Sequence, residues 1–168
     1  MIYKFRIILD TQEDIFRDIE IEASNTLEDF HNSINQAFGF DGMEMASFYL
    51  SNDEWNQGEE ISLFDMGEGD SGVRLMNESF LEDTVTESEN KLIYVYDFFN
   101  MWTFFVELVE ISPKEDGKSY PNLLFAHGVL PEEAPDKQFE SQDPLPEINP
   151  DISDIEDYDD LDFNENWN

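Results

Sequence analysis

Residues 2–9, IYKFRIIL, alternate Lys4 and Arg6 with Tyr3, Phe5 and Ile7 before becoming fully apolar, which predicts a strand with one face in a core. Asp10 to Asp14 form a polar turn. Ile15 to Ala23 alternate again, with Ile15, Arg17, Ile19 and Ile21 against Phe16, Asp18, Glu20 and Glu22, so the two runs predict a hairpin. The period then changes. Leu27, Phe30, Ile34, Ala37 and Phe38 recur at helical spacing. Asn25 or Thr26 precedes them as an N-cap, Glu28 and Asp29 place carboxylates in the first turn, and Gly39 stands where a left-handed C-cap would end the helix.

The pattern shortens after the helix. Ala46 to Leu50 predict a strand, Asn52 to Gly58 a polar loop carrying Trp55, and Glu60 to Phe64 another short strand. Met66 to Val73 read as a Gly-rich loop and Ser79 to Val85 as a helical turn. Lys91 to Phe98 and Met101 to Ile111 are long, aromatic and β-branched, which predicts an antiparallel hairpin turning at Phe99-Asn100. A two-residue type I′ turn needs positive φ at Phe99, which a bulky residue resists, so a wider connection is expected. Residues 112–131, with Gly117, Pro121, Gly128 and Pro131, read as loop. The expected fold class is α+β: a mixed, mainly antiparallel sheet, a β-grasp-like start, one principal helix packed on the sheet, and an acidic C-terminal extension. The domain is placed at residues 1–136, and residues 137–168 are expected to be a mobile, Pro-containing acidic tail.

Charge changes the picture most. The chain has 168 residues, with 41 Asp and Glu against 8 Lys and Arg, a net charge of -33. Direct nucleic-acid binding and anionic membranes are disfavoured, and a basic protein is the expected partner. Absence of cysteine removes disulfides, zinc thiolate sites and cysteine catalysis. No apolar leader opens the sequence and no run approaches ~20 apolar residues, so a cytoplasmic protein is expected.

Several stretches together resemble a known family. TLEDFHNSINQAFGF, Thr26 to Phe40, is similar to the helix of the plasmid Ri open-reading-frame-three-like family, which reads TL-x-x-LH-x-x-I-x-x-A-FGW. Phe48 fits the aromatic after its His-Leu-His-x-Phe motif. YVYDFFNMW, Tyr94 to Trp102, resembles its Tyr-Asp-Phe-Gly-Asp-x-Trp signature, and Tyr120 to Asp136 resembles its Cys/Gly/Pro-rich segment. The departures are Glu44 and Ala46 at the two His positions, Phe99-Asn100 for Gly-Asp, Phe104 for a later His, and no cysteine. The resemblance implies an α+β fold, a plasmid or mobile-element context, and a scaffold that has shed polar groups.

No acid, base and nucleophile set converges in the sequence, so no catalytic residue, metal ligand set or cofactor is assigned. Asp97 in its aromatic run is either a buried acid with a raised pKa or an acceptor for backbone N–H groups at a turn. With no His, Lys or second acid beside it, the turn role is favoured. His31 lies at the edge of the helix's apolar stripe and reads as bonded to a neighbour rather than as a base or ligand. Gly67 to Gly72 lack the Gly-Lys-Ser/Thr sequence of a phosphate loop. The binding candidates are Asp97, His31, Glu44 and Trp102, together with Tyr158, Phe163 and Trp167 as anchors of an acidic peptide. Three functions are weighed. They are a non-enzymatic binding or adaptor module, an acidic nucleic-acid mimic that occupies a basic protein, and a degenerate metal or enzyme site near Asp97.

Overall fold

The computed structural model describes residues 1–64 and 74–135. The expected Gly-rich loop at Met66 to Val73, the acidic tail and its anchors Tyr158, Phe163 and Trp167 lie outside the described residues.

β1 (Ile2–Leu9) and β2 (Phe16–Glu22) form the hairpin, antiparallel, with Phe5 opposite Ile19. α1 (Leu27–Phe38) follows, and its ends are built as the sequence requires. Thr26 Oγ1 accepts the Asp29 amide at 3.1 Å, and the Asp29 carboxylate accepts the Thr26 amide at 3.0 Å. These reciprocal bonds satisfy donors that a helix start leaves free. Gly39 ends the helix at φ 85°, where a side chain would be strained.

Six more strands complete the sheet. They are β3 (Ala46–Leu50), β4 (Glu60–Ser62), β5 (Arg74–Leu75), β6 (Lys91–Tyr96), β7 (Trp102–Ser112) and β8 (Asn122–His127). A 3₁₀ turn at Met76–Glu78 and the short helix α2 (Leu81–Thr84) lie between β5 and β6. The strand order is β5-β4-β3-β6-β7-β1-β2-β8. Neighbours run antiparallel except β4 and β5, so the sheet is mixed and dominates an α+β fold.

Alternation sorts the two faces. Tyr3, Phe5, Ile7 and Leu9 of β1 turn inward, with Phe48, Tyr94, Phe104 and Val106 from other strands. α1 covers this face with Leu27, Phe30, Ile34 and Phe38. The Phe30 ring stacks 4.4 Å from Phe5 and 5.6 Å from Phe48, joining strands that β6 and β7 hold apart. On the opposite face Arg6 bridges Asp18 with two bonds of 2.9 Å, and Trp55 lies 4.9 Å from Phe105. The 52–58 loop reaches that position because Gly58 closes on β3, where an added Cβ would stand 2.7 Å from the Leu50 carbonyl oxygen.

One expectation is revised and another is met. Residues 112–131 are not all loop, since Asn122–His127 form β8, paired antiparallel with β2. Pro121 and Gly128, read as punctuation within a loop, are the strand's boundaries. Gly128 has φ 84°, and its missing Cβ leaves room for the Asp14 carbonyl, which a Cβ would meet at 2.7 Å. The β6–β7 connection is wider than two residues, as the Phe99 argument required. It runs from Asp97 to Met101, and those two residues, not Phe99, take positive φ.

Candidate functional site

Asp97 is the polar centre of that connection. Its φ is 68°, and its amide donates to the Met45 carbonyl at 2.7 Å. One carboxylate oxygen accepts the Phe99 amide at 3.1 Å and the Asn100 amide at 3.3 Å; the other accepts the Asn100 side-chain amide at 2.6 Å. The carboxylate therefore holds the turn, the role Asp plays in Asx motifs. Asp97→Ala should lower unfolding free energy by about 1–3 kcal/mol, since donors lose an acceptor in a half-enclosed turn. Asp97→Asn should cost less than Ala, because the side chain still accepts and Asn tolerates the left-handed region. Urea titration of both variants measures the difference; equal losses would contradict this role.

Trp102 is 7 % exposed and packs 5.3 Å from Phe40, opposite Tyr96 on the facing strand. Its ring belongs to the core. Glu44 has an exposed side chain, and its backbone N–H, like that of Gly42, bonds the Tyr96 hydroxyl. The Tyr96 hydroxyl donates to the Asp41 carboxylate at 3.0 Å and accepts the Gly42 amide at 3.1 Å. The Met43 backbone N–H, followed by the Tyr96 hydroxyl, holds the Asp41 carboxyl below its usual range.

His31 is 2 % exposed and sits between α1 and β6. Its Nδ1 lies 2.7 Å from the Tyr94 hydroxyl. Asn35, one turn on, donates to the His31 carbonyl at 2.7 Å and to the Tyr94 hydroxyl at 3.0 Å. Burial lowers the His31 pKa from 6.5 to about 4 and pushes the Tyr94 hydroxyl far above its ordinary range. The hydroxyl thus keeps its proton and the imidazole stays neutral, so the hydrogen bond joins two uncharged groups. Among the described residues, no three His, Asp or Glu side chains gather as a metal site would need. Asp97 is spent on a turn, His31 on a helix–sheet bond, and Glu44 faces solvent.

Unspent hydrogen-bonding capacity lies instead on β8, whose outer side has no neighbouring strand among the described residues. Leu123, Leu124 and Phe125 are 47 %, 40 % and 51 % exposed. The strand lies within residues 119–131, SYPNLLFAHGVLP, a 13-residue run without a charged side chain in a chain 29 % charged. Natural edge strands are usually shortened, charged or covered, because an open edge is a template for another strand. On the helix side of this edge is a cavity of about 200 Å³, with Ile19, Ala37, Pro121 and Leu123 among its lining. On the other side Phe125 and His127 flank Phe16, with ring centroids 5.8 and 5.3 Å away. A second cavity, of about 340 Å³, lies beside Asp53, Glu89 and Lys91; Lys91 is already engaged there by Asp53 at 3.2 Å and Asn90 at 3.1 Å. Reading residues by type missed β8. The available signal was its freedom from charge between a proline and a glycine.

The comparisons bear on the fold. The family model described as plasmid pRiA4b ORF-3-like protein matches residues 1–142, most of the 168-residue chain. The chain belongs to that family. No curated protein matches it. Among solved structures, the crystal structure of a protein of unknown function, MM3350 from Methanosarcina mazei Go1, is similar. It has a TM-score of 0.65 and 23 % identity, covering 74 % of this chain and 68 % of that one. The likeness is one of fold.

Proposed function

From its place in the plasmid pRiA4b ORF-3-like family and the geometry of its sheet, we propose that this protein is a non-enzymatic adaptor module that binds an extended segment along the outer edge of β8, which no described strand pairs. One observation carries the reading: an exposed, uncharged edge strand, with Leu123, Leu124 and Phe125 open to solvent, in an otherwise acidic chain. Strand addition draws affinity from main-chain hydrogen bonds and selectivity from pockets for alternate side chains. Here the cavity over Ile19 and Ala37 accepts an apolar side chain from one face of the added segment, and the Phe16–Phe125–His127 cluster meets the other face. The edge selects an uncharged segment.

Selection of phage-displayed random peptides on the immobilised full chain tests the edge, with the Leu124→Glu chain as counter-target. Expected binders are uncharged, apolar at alternate positions, and retained by the wild-type chain alone. No enrichment on a monomeric wild-type chain, or equal binding to both chains, would sink the proposal.

A second reading, nucleic-acid mimicry, is favoured by five exposed carboxylates close together in the sequence, Glu78, Glu82, Asp83, Glu87 and Glu89. A mimic releases basic nucleic-acid-binding proteins as salt is raised. Retention indifferent to salt would remove that alternative.

A further inference from the structure

We infer that the segment received by β8 is β8 of a second copy, so that the protein is a two-fold symmetric dimer with its sheet continued across the axis. This rests on the edge-binding reading above and names its occupant. An antiparallel pairing with Leu124 opposite Phe125 of the second copy sets Leu123 opposite Ala126 and Asn122 opposite His127. The same patch then meets itself, as a two-fold interface requires. Leucine, phenylalanine and alanine fill the middle, and the two residues with polar side chains lie at the ends.

Charge decides where a copy of this chain can meet it. A net charge of -33 makes nearly every other surface repel a second copy. The edge region is the exception. Of the chain's 8 basic residues, Lys4, Arg6, Arg17, Lys114 and Lys118 lie on β1, on β2 or in the connection from β7 to β8. Three of them pair with the carboxylates of β2, the strand beside β8. Asp18 is held by Arg6 at 2.9 Å, Glu20 by Lys118 at 3.1 Å and Glu22 by Lys114 at 3.3 Å. Two copies can therefore approach edge to edge through uncharged side chains backed by compensated ones. The repulsion left between the remaining surfaces is long-ranged and screened by salt. Association should thus tighten as salt rises, the opposite of binding to a basic protein.

Sedimentation equilibrium of the full chain tests this at low and high salt, alongside amide exchange of Asn122–His127 at several protein concentrations. The expected mass is twice the 19.7 kDa of one chain. Dissociation should be weaker at high salt, exchange across β8 should slow with concentration, and Leu124→Glu should raise the dissociation constant at least ~tenfold. Leu124 is exposed and falls at the register shift between β8 and β2, so an unchanged melting temperature serves as the folding control. A monomer at all concentrations overturns the inference; if edge-dependent peptides still bind, the edge reading survives with another occupant. Slow exchange that does not depend on concentration means the chain covers its own edge. A dimer insensitive to Leu124→Glu has its contact elsewhere. Either result overturns the inference.

Discussion

Phe30→Ala lowers the unfolding free energy by about 3–5 kcal/mol, the range for deleting a large aromatic from a packed core. The ring is completely buried and lies between Phe5 of β1 and Phe48 of β3. Its surroundings cannot collapse readily, because the sheet fixes one wall and α1 the other. The loss therefore combines the transfer term with a residual cavity. Phe99→Ala is the matched control, since that ring is 93 % exposed and its removal should stay within about 0.5 kcal/mol. Urea titration with an unchanged m-value measures both. A Phe30→Ala loss below about 1 kcal/mol would mean that the helix is not fastened at this point.

Acidification tests the other internal fastening. His31 is neutral in the folded protein down to pH about 4, because burial disfavours the imidazolium. In the unfolded chain the same group takes a proton near its ordinary value of about 6.5. Between those values the unfolded state holds a proton that the folded state refuses, so stability falls as pH falls. The His31 contribution is complete above pH about 6.5 and is lost progressively down to about 4. At ~1.4 kcal/mol per pH unit this amounts to about 3 kcal/mol. Carboxylates titrate across the lower part of the same window, so the comparison is with His31→Gln. That variant starts less stable at pH 7, because it disturbs the bonds among His31, Asn35 and Tyr94, but its stability should decline less steeply towards pH 4. Urea titrations at several pH values give both curves. Parallel curves would show that His31 ionises freely in the folded state.

Both fastenings were partly legible before the fold was known. Periodicity placed Phe30 on the buried stripe of a helix whose caps, Thr26 and Gly39, follow from local chemistry. It placed His31 at the stripe's edge, where a neighbour could satisfy it. The neighbour, Tyr94, is 63 residues away, and no local pattern identifies it. Asp97 was read with two roles. Its choice between them depends on the amides of Phe99 and Asn100 turning back towards it, which follows from Phe99's resistance to positive φ. That resistance forces the longer connection that the carboxylate caps.

The candidate edge was the least legible feature. Pro121 and Gly128 are common loop residues, and the intervening Asn-Leu-Leu-Phe-Ala-His shows no alternation. A strand alternates in sequence when one face is buried and the other is wet. β8 is exposed on both faces over most of its length, so neither burial nor polarity leaves a period to find. It is a strand because β2 offers it a ladder, and that offer exists only once β1 and β2 have folded back.

Elements whose information is local can be read from the residues alone. These are the alternating hairpin, the capped amphipathic helix, the aromatic strands β6 and β7, the width of their connection, and the acidity of the chain. Each depends on residues a few positions apart, where propensity, capping and sterics act. The strand order, the identity of His31's partner, the burial of Trp102 and an edge at β8 that no described strand pairs emerge only in the folded chain. Those depend on which distant segments meet, and a long-range contact is set by the joint packing of the whole core rather than by either segment alone.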